Sequence, residues 1–120
     1  MTKPTAAAGG AAFDLAAIDR EMRGEPAYLR EGHTARTLVR EPDLRIVLLA
    51  MQAGAHLAEH RADETSSIQA LRGQGRLRLP DKLVNLPSGH LLVLERGLRH
   101  DLEALEESTF LLTIGWQTSR

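Results

Sequence analysis

Two histidines, His60 and His100, are the residues of this chain whose type and setting best suit chemistry. Each lies in a β-like run that is preceded by a glycine, Gly54 in the first run and Gly97 in the second. Successive side chains of a strand point to opposite faces, so a small β-barrel brings histidines from distant strands into one interior pocket. Imidazole binds Zn, Fe, Ni or Cu, and it transfers protons near neutral pH. The pair therefore marks a candidate site for metal binding, proton transfer or small-molecule binding.

A metal site normally needs three or more protein ligands, and the two histidines supply only part of such a set. His56 is a less favoured third ligand, because it shares the strand parity of His60 but lies roughly 13 Å from it along an extended strand. Asp63 and Glu64 follow His60 in a loop and are able to fold inward. A divalent metal (Zn, Fe, Ni or Mn) held by His60 and His100 is one interpretation of the pair.

Two interpretations without a metal stand beside it. The imidazoles of His60 and His100 are able to form hydrogen bonds with each other, with Ser66 or with water in a barrel mouth. Alternatively, a pocket marked by these histidines, with Ser66 and Ala62 in its lining, holds a small carboxylate or phenol. Two neighbouring imidazoles also make proton transfer physically feasible.

Composition limits the classes of protein to which the chain belongs. It has 120 residues, enough for one hydrophobic core, and a formal net charge of -1. That balance gives no electrostatic reason to expect nucleic acid or an anionic membrane as a partner. No run approaches the ~20 apolar residues that span a bilayer. The chain contains no cysteine, which excludes disulfides and thiolate chemistry and fits the reducing cytoplasm where we expect the protein.

The N-terminal part of the sequence predicts a disordered lead and then one helix. Residues 1–12 are small and weakly hydrophobic and lack the bulky apolar segment of a secretory signal. Apolar residues then recur on one face from Phe13 to Arg23, which predicts a helix. Asp14 is placed to cap its start, Gly24 to end it in a left-handed conformation, and Pro26 to stop it from continuing.

After this helix the hydrophobic periodicity changes to two, which is typical of strands. The β-like runs are Thr34–Val39, Leu44–Met51, His56–His60, Ser67–Leu71, Arg76–Leu79, Leu83–Leu86, Leu91–Leu94, Arg99–Ala104 and Thr109–Trp116. Glycine- and proline-containing turns separate most of them, and no segment leaves room for a helix between two strands. The pattern predicts a helix and connector over residues 13–33 and an all-β, antiparallel, closed or double-sheet domain over residues 34–120.

The glycine–histidine segments resemble the two sequence motifs of the cupin family. The first cupin motif has a glycine, a histidine after five residues, a second histidine after one more, then a glutamate and a closing glycine. Gly54, His60 and Gly73 match this motif, and its remaining positions hold Ala62 and either Ser66 or Ser67. The second motif is matched by Gly89, Gly97 and His100, whereas its proline position holds Glu95. Two of the four usual metal ligands of the family are therefore present.

A resemblance to small, single-domain bacterial cupins of the RmlC-like, cupin 2 type implies a double-stranded β-helix, or jelly roll, that frequently forms homodimers. Cupin functions range from metal-dependent dioxygenases and isomerases to sensor domains. One hypothesis is a binding or sensing module whose barrel pocket holds a small molecule. The alternative is a metal-dependent enzyme of the dioxygenase or isomerase type, with an incomplete histidine shell. In a third hypothesis, the protein works through a dimer surface made by an exposed strand face of Phe110, Leu112, Ile114 and Trp116.

Overall fold

A computed structural model describes residues 10–115, except for the side chains of Glu59 and His60. Within these residues, helices α1 (Leu15–Arg23) and α2 (Pro26–Glu31) precede nine strands. The strands are β1 (His33–Glu41), β2 (Leu44–Met51), β3 (His56–His60), β4 (Ser66–Arg72), β5 (Gln74–Leu79), β6 (Lys82–Pro87), β7 (Leu91–Leu94), β8 (His100–Ala104) and β9 (Ser108–Ile114). They form a five-stranded sheet in the order β1-β2-β9-β4-β7 and a four-stranded sheet in the order β3-β8-β5-β6. The predicted all-β, double-sheet architecture with a short N-terminal helix is confirmed.

The N-terminal helix ends differently from the prediction, and a second helix follows it. Asp14 caps α1 as predicted, since its side chain accepts a hydrogen bond from the backbone N–H of Ala17 at 3.1 Å. The left-handed ending predicted at Gly24 is wrong, because this residue has a φ of -92°. The left-handed cap is Gly32, with a φ of 86°, at the end of α2. Pro26 both stops α1 and starts α2, because the first residue of a helix needs no N–H donor.

Both helices pack on the outer face of the five-stranded sheet, against β1 and β2. The buried side chains of this contact are Met22, Tyr28, Leu38, Val39, Leu48 and Ala50. Among the described residues, no helix has the length and apolar character needed to cross a membrane. Most of the lead predicted to be disordered lies outside the described residues, so that part of the prediction stays a prediction.

The main core lies between the two sheets. Its buried side chains are mostly aliphatic: Leu49, Met51, Ile68, Ala70, Leu77, Leu79, Leu86, Leu94, Leu102, Ala104 and Phe110. Phe110 is fully buried, and a Cβ atom added to Gly75 would lie 2.7 Å from its ring. A glycine at this position of β5 therefore leaves the space that the aromatic ring occupies.

The apolar side of β9 faces this interior and not the solvent. Phe110 belongs to the core, Leu112 packs against the core, and Ile114 lines an interior cavity. The hypothesis that these three side chains form an exposed dimer surface is therefore wrong. Trp116, its fourth member, lies outside the described residues.

We expect Gly75→Ala to lower the free energy of unfolding by about 1–3 kcal/mol, because the added methyl group overpacks the core against Phe110. Urea-induced unfolding measures the change. Gly24→Ala is the matched control, since a Cβ atom there would meet its nearest neighbour at an ordinary 3.6 Å. This control should alter the stability by less than about 0.5 kcal/mol. Equal stabilities of the two variants would contradict the close packing at Gly75.

Candidate functional site

A cavity of about 490 Å³ lies between the two sheets, at the end of the barrel where β9 ends. Because β2 and β4 both pair antiparallel with β9, both of these strands begin at this end. Ile114 consequently lies opposite Arg45 on one side and opposite Ser66 on the other. The sheet topology thus brings residues that are distant in sequence to one opening.

The inner wall of the cavity is aliphatic and is built by both sheets. The five-stranded sheet supplies Leu49, Ile68, Leu94, Leu112 and Ile114, and the four-stranded sheet supplies Leu57 and Leu102. Leu49, Leu94 and Leu102 are each no more than 5% exposed. A ligand that enters the cavity therefore meets an apolar surface over its inner part.

The mouth of the cavity carries charged side chains of both signs. Glu64 is only 8% exposed, and its carboxylate accepts a hydrogen bond from the guanidinium of Arg45 at 3.3 Å. Arg61 and Asp63, which are exposed, line the same mouth. These four residues carry two positive and two negative charges, so the mouth has no strong preference for one sign of charge.

Of the residues singled out in the sequence, His100, Ser66 and Ala62 line this cavity together. The imidazole Nδ1 of His100 lies 3.0 Å from the backbone carbonyl oxygen of Leu98. Because a carbonyl oxygen only accepts hydrogen bonds, Nδ1–H is the donor of this one. The backbone N–H of Gly97 donates to the carbonyl of Ala62 at 2.8 Å, which holds the loop after β3 beside the turn before β8.

The backbone register places His60 directly opposite His100 on the neighbouring strand. The side chain of His60 lies outside the described part of the structure, so its role at the site stays a proposal. The register shifts between Leu57 and His60, so the simple alternation that put His56 and His60 on one face is broken there. His56 instead pairs with Glu103 across the strands.

His56 lies on the outer face of the four-stranded sheet and does not reach the cavity. Its imidazole is 52% exposed, and its Nε2 is 3.8 Å from a carboxylate oxygen of Asp101. His90, in the turn before β7, is exposed as well. The structure therefore separates both of these histidines from His100.

Of the charged side chains at the mouth, two were predicted from the sequence and Arg45 was not. Asp63 and Glu64 were expected to be able to fold inward, and both line the cavity. Nothing in the local sequence pointed to Arg45, because its place depends on the pairing of β2 with β9. The only available signal was its strand parity with Leu49 and Met51, which face the core between the sheets.

The side chains that line the cavity meet some of the requirements of a metal site but not all of them. A metal-bound imidazole usually donates its second ring N–H to a carbonyl or carboxylate, and the contact of His100 with Leu98 has this form. Among the side chains that the structure describes, however, no three histidine, aspartate or glutamate residues converge in metal-binding geometry.

Solved structures with the same fold include small proteins and part of a larger enzyme. A conserved protein of unknown function from Streptococcus pyogenes is 21% identical, with a TM-score of 0.75 over 99% of this chain and 98% of that one. A cupin superfamily protein from Desulfitobacterium hafniense is 14% identical, with a TM-score of 0.68 over 71% and 78%. A salicylate 1,2-dioxygenase variant from Pseudoaminobacter salicylatoxidans is 19% identical, with a TM-score of 0.75 over 86% of this chain but 34% of the enzyme. At these identities the likeness shows the fold alone, and it confirms the predicted cupin barrel.

Comparison with curated protein sequences gives no match. The family model described as the AraC-like ligand binding domain matches residues 45–117, which is more than half of the chain. The matched segment runs from the second residue of β2 past the end of β9 and contains every lining residue of the cavity. The chain therefore belongs to the AraC-like ligand binding domain family, within the cupin superfamily.

Proposed function

We propose that the protein is a binding or sensing module that holds a small organic molecule in the cavity between its sheets. The cavity carries this proposal. Its volume of about 490 Å³ lies within the range of roughly 300–1,000 Å³ that is typical of small-molecule sites. Its aliphatic inner wall and polar mouth also have the usual composition of such sites.

The lining favours a ligand with an apolar body and a polar end. The apolar body packs against residues such as Leu49 and Ile68, which removes apolar surface from water. The polar end lies at the mouth, within reach of Ser66 and His100. Because the charges of the mouth balance, a neutral hydroxyl or phenol suits it better than a strongly charged group. We further propose that the imidazole of His60 belongs to the same polar end, since its backbone lies opposite that of His100.

A metal-dependent enzyme is the second candidate, and the register of β3 and β8 favours it. His60 and His100 occupy paired positions, and two carboxylates, from Asp63 and Glu64, line the same cavity. The two histidines would hold the metal, and a bound divalent metal would supply Lewis acidity or redox chemistry. In that case the aliphatic wall would orient a substrate and exclude water from it.

A homodimer is also part of the proposal, and an edge strand supports it. β7 lies at one edge of the five-stranded sheet, where Leu91 and Val93 are 57% and 56% exposed. Apolar side chains on an unpaired edge suit the packing of a second copy. Sedimentation velocity at several protein concentrations reports the oligomeric state.

Ala62→Trp tests binding in the cavity. Ala62 lies in a loop at the mouth, so a tryptophan there obstructs the opening without replacing a core side chain. We expect small phenols and alcohols that bind the native protein in ligand-observed NMR to bind at least about tenfold more weakly to this variant. Ala58→Trp is the matched control, because Ala58 is exposed on the strand before the loop and does not line the cavity. Equal binding by both variants would place the ligand elsewhere.

Elemental analysis by mass spectrometry tests the second candidate. The enzyme hypothesis expects near-stoichiometric Zn, Fe, Ni or Mn in the tag-free protein and its loss from a His60→Ala/His100→Ala variant that still folds. A His56→Ala/His90→Ala variant removes two exposed histidines and is expected to retain the metal. A native protein that stays folded and takes up no metal on titration would rule out this candidate.

A further inference from the structure

A second concave region lies on the outer side of the five-stranded sheet, where α1 crosses the ends of β4 and β9. We call it the outer groove. Its volume is about 550 Å³, and it is lined by Leu15, Ala16, Asp19, Arg20, Arg23, Leu71, Arg72 and Thr109. The lining combines aliphatic side chains from the helix and the sheet with three arginines. None of these residues lines the cavity between the sheets.

A β-bulge brings two successive residues of β4 to the outer groove. Ala70 is buried and pairs with Phe110, so this part of β4 points into the barrel. The register then shifts, and Arg72 pairs with Thr109, whose hydroxyl donates to Asp19 on the outer side at 2.9 Å. In a regular strand, Leu71 and Arg72 would face opposite sides of the sheet. The bulge instead turns the arginine outward, a common use of bulges near functional sites.

Arg23 holds the groove together and has little capacity left for a ligand. Its side chain is 15% exposed. Its guanidinium contacts five groups: the carboxylates of Asp19 and Glu107, the hydroxyls of Tyr28 and Thr109, and the carbonyl of Ser108. The hydrogen bond from Tyr28 and the nearby arginines hold the pKa of the Glu107 carboxyl below its usual value, so this carboxylate is ionised at neutral pH.

Arg20 and Arg72 remain able to bind a ligand. Arg72 is 51% exposed, and its ion pairs are long, at 3.7 Å to Asp19 and 3.4 Å to Glu107. Arg20 is exposed and forms no ion pair with any residue that the structure describes. The three arginines of the groove thus face two carboxylates, which leaves one positive charge beside an aliphatic surface.

We propose that the outer groove binds a small carboxylate that carries an aliphatic chain. The carboxylate accepts hydrogen bonds from Arg20 and Arg72, because guanidinium groups match carboxylate geometry. The chain packs against Leu15, Ala16 and Leu71, which removes apolar surface from water. The proposal does not depend on a ligand in the barrel cavity. It differs from that site in charge, since the cavity mouth is balanced and the outer groove is cationic.

Titration of the full ¹⁵N-labelled chain with hexanoate, acetate and 1-hexanol tests the proposal. We expect hexanoate to give saturable shifts of the amide signals of Leu15, Ala16, Leu71 and Thr109. Acetate lacks the chain and 1-hexanol lacks the charge, so each should bind at the outer groove, as reported by these four amide signals, at least about tenfold more weakly than hexanoate. Equal binding of acetate would indicate a simple anion site, and equal binding of 1-hexanol a simple apolar groove. Either result, or no saturable shift with hexanoate, would overturn the proposal.

The variant Arg20→Gln/Arg72→Gln removes both cations and should weaken hexanoate binding by about tenfold or more. Arg40→Gln/Lys82→Gln is the matched control, because it removes two exposed cations that do not line the groove and loses the same charge. Thermal unfolding verifies that each variant is folded. Ala16→Glu is a second variant that places a carboxylate on the exposed helix surface of the groove, and it should also abolish binding. Unchanged hexanoate affinity in both groove variants would contradict the assignment.

Discussion

The contact between the Phe110 ring and the backbone of β5 at Gly75 governs how the two sheets come together. Phe110 is fully buried, and the ring occupies the space that a side chain on β5 would need. Its neighbour across the sheet is the small residue Ala70. The ring therefore fills the barrel near the start of β9, and β9 continues beyond it to Leu112 and Ile114. The cavity lies along this continuation, so core packing and the binding site share one strand.

Strands β4 and β9 contribute to the walls of both the cavity and the outer groove. β4 and β9 present Ile68 and Leu112 to the interior and Leu71 and Thr109 to α1. A ligand on either side touches the strand pair that forms the wall of the other site. Both sites have an aliphatic wall, but the charges at the cavity mouth balance, whereas the outer groove has excess positive charge. The two sites are therefore expected to select different molecules.

Much of the fold was predictable from local patterns. The bounds of β2, β3 and β7 match their predicted runs, because period-two alternation and turn residues are properties of short segments. α2 was not predictable in this way, since Pro26 reads equally well as the end of one helix and the start of another. The bulges in β3 and β4 depend on pairing between distant strands, and alternation along one strand contains no sign of them.

The candidate site likewise has features that local sequence patterns predict and features that they do not. The positions of His100, Ser66 and Ala62 in one cavity follow from the glycine–histidine spacing and the family resemblance. Predicting the Arg45–Glu64 pair would have required knowledge of the strand order β2-β9-β4. Predicting the outer groove would have required knowledge of both a bulge and a packed helix. Long-range pairing and the packing of separate elements decide these features, and a single sequence does not report them.

Crystals of the protein soaked with a library of small phenols, alcohols and carboxylates provide the most direct test of binding between the sheets. The proposed function predicts electron density for a fragment in the cavity, with its apolar part against Leu49 and Ile68 and its polar group near Ser66 or His100. A cavity that remains without a fragment throughout the library, while fragments occupy other surfaces, would contradict it.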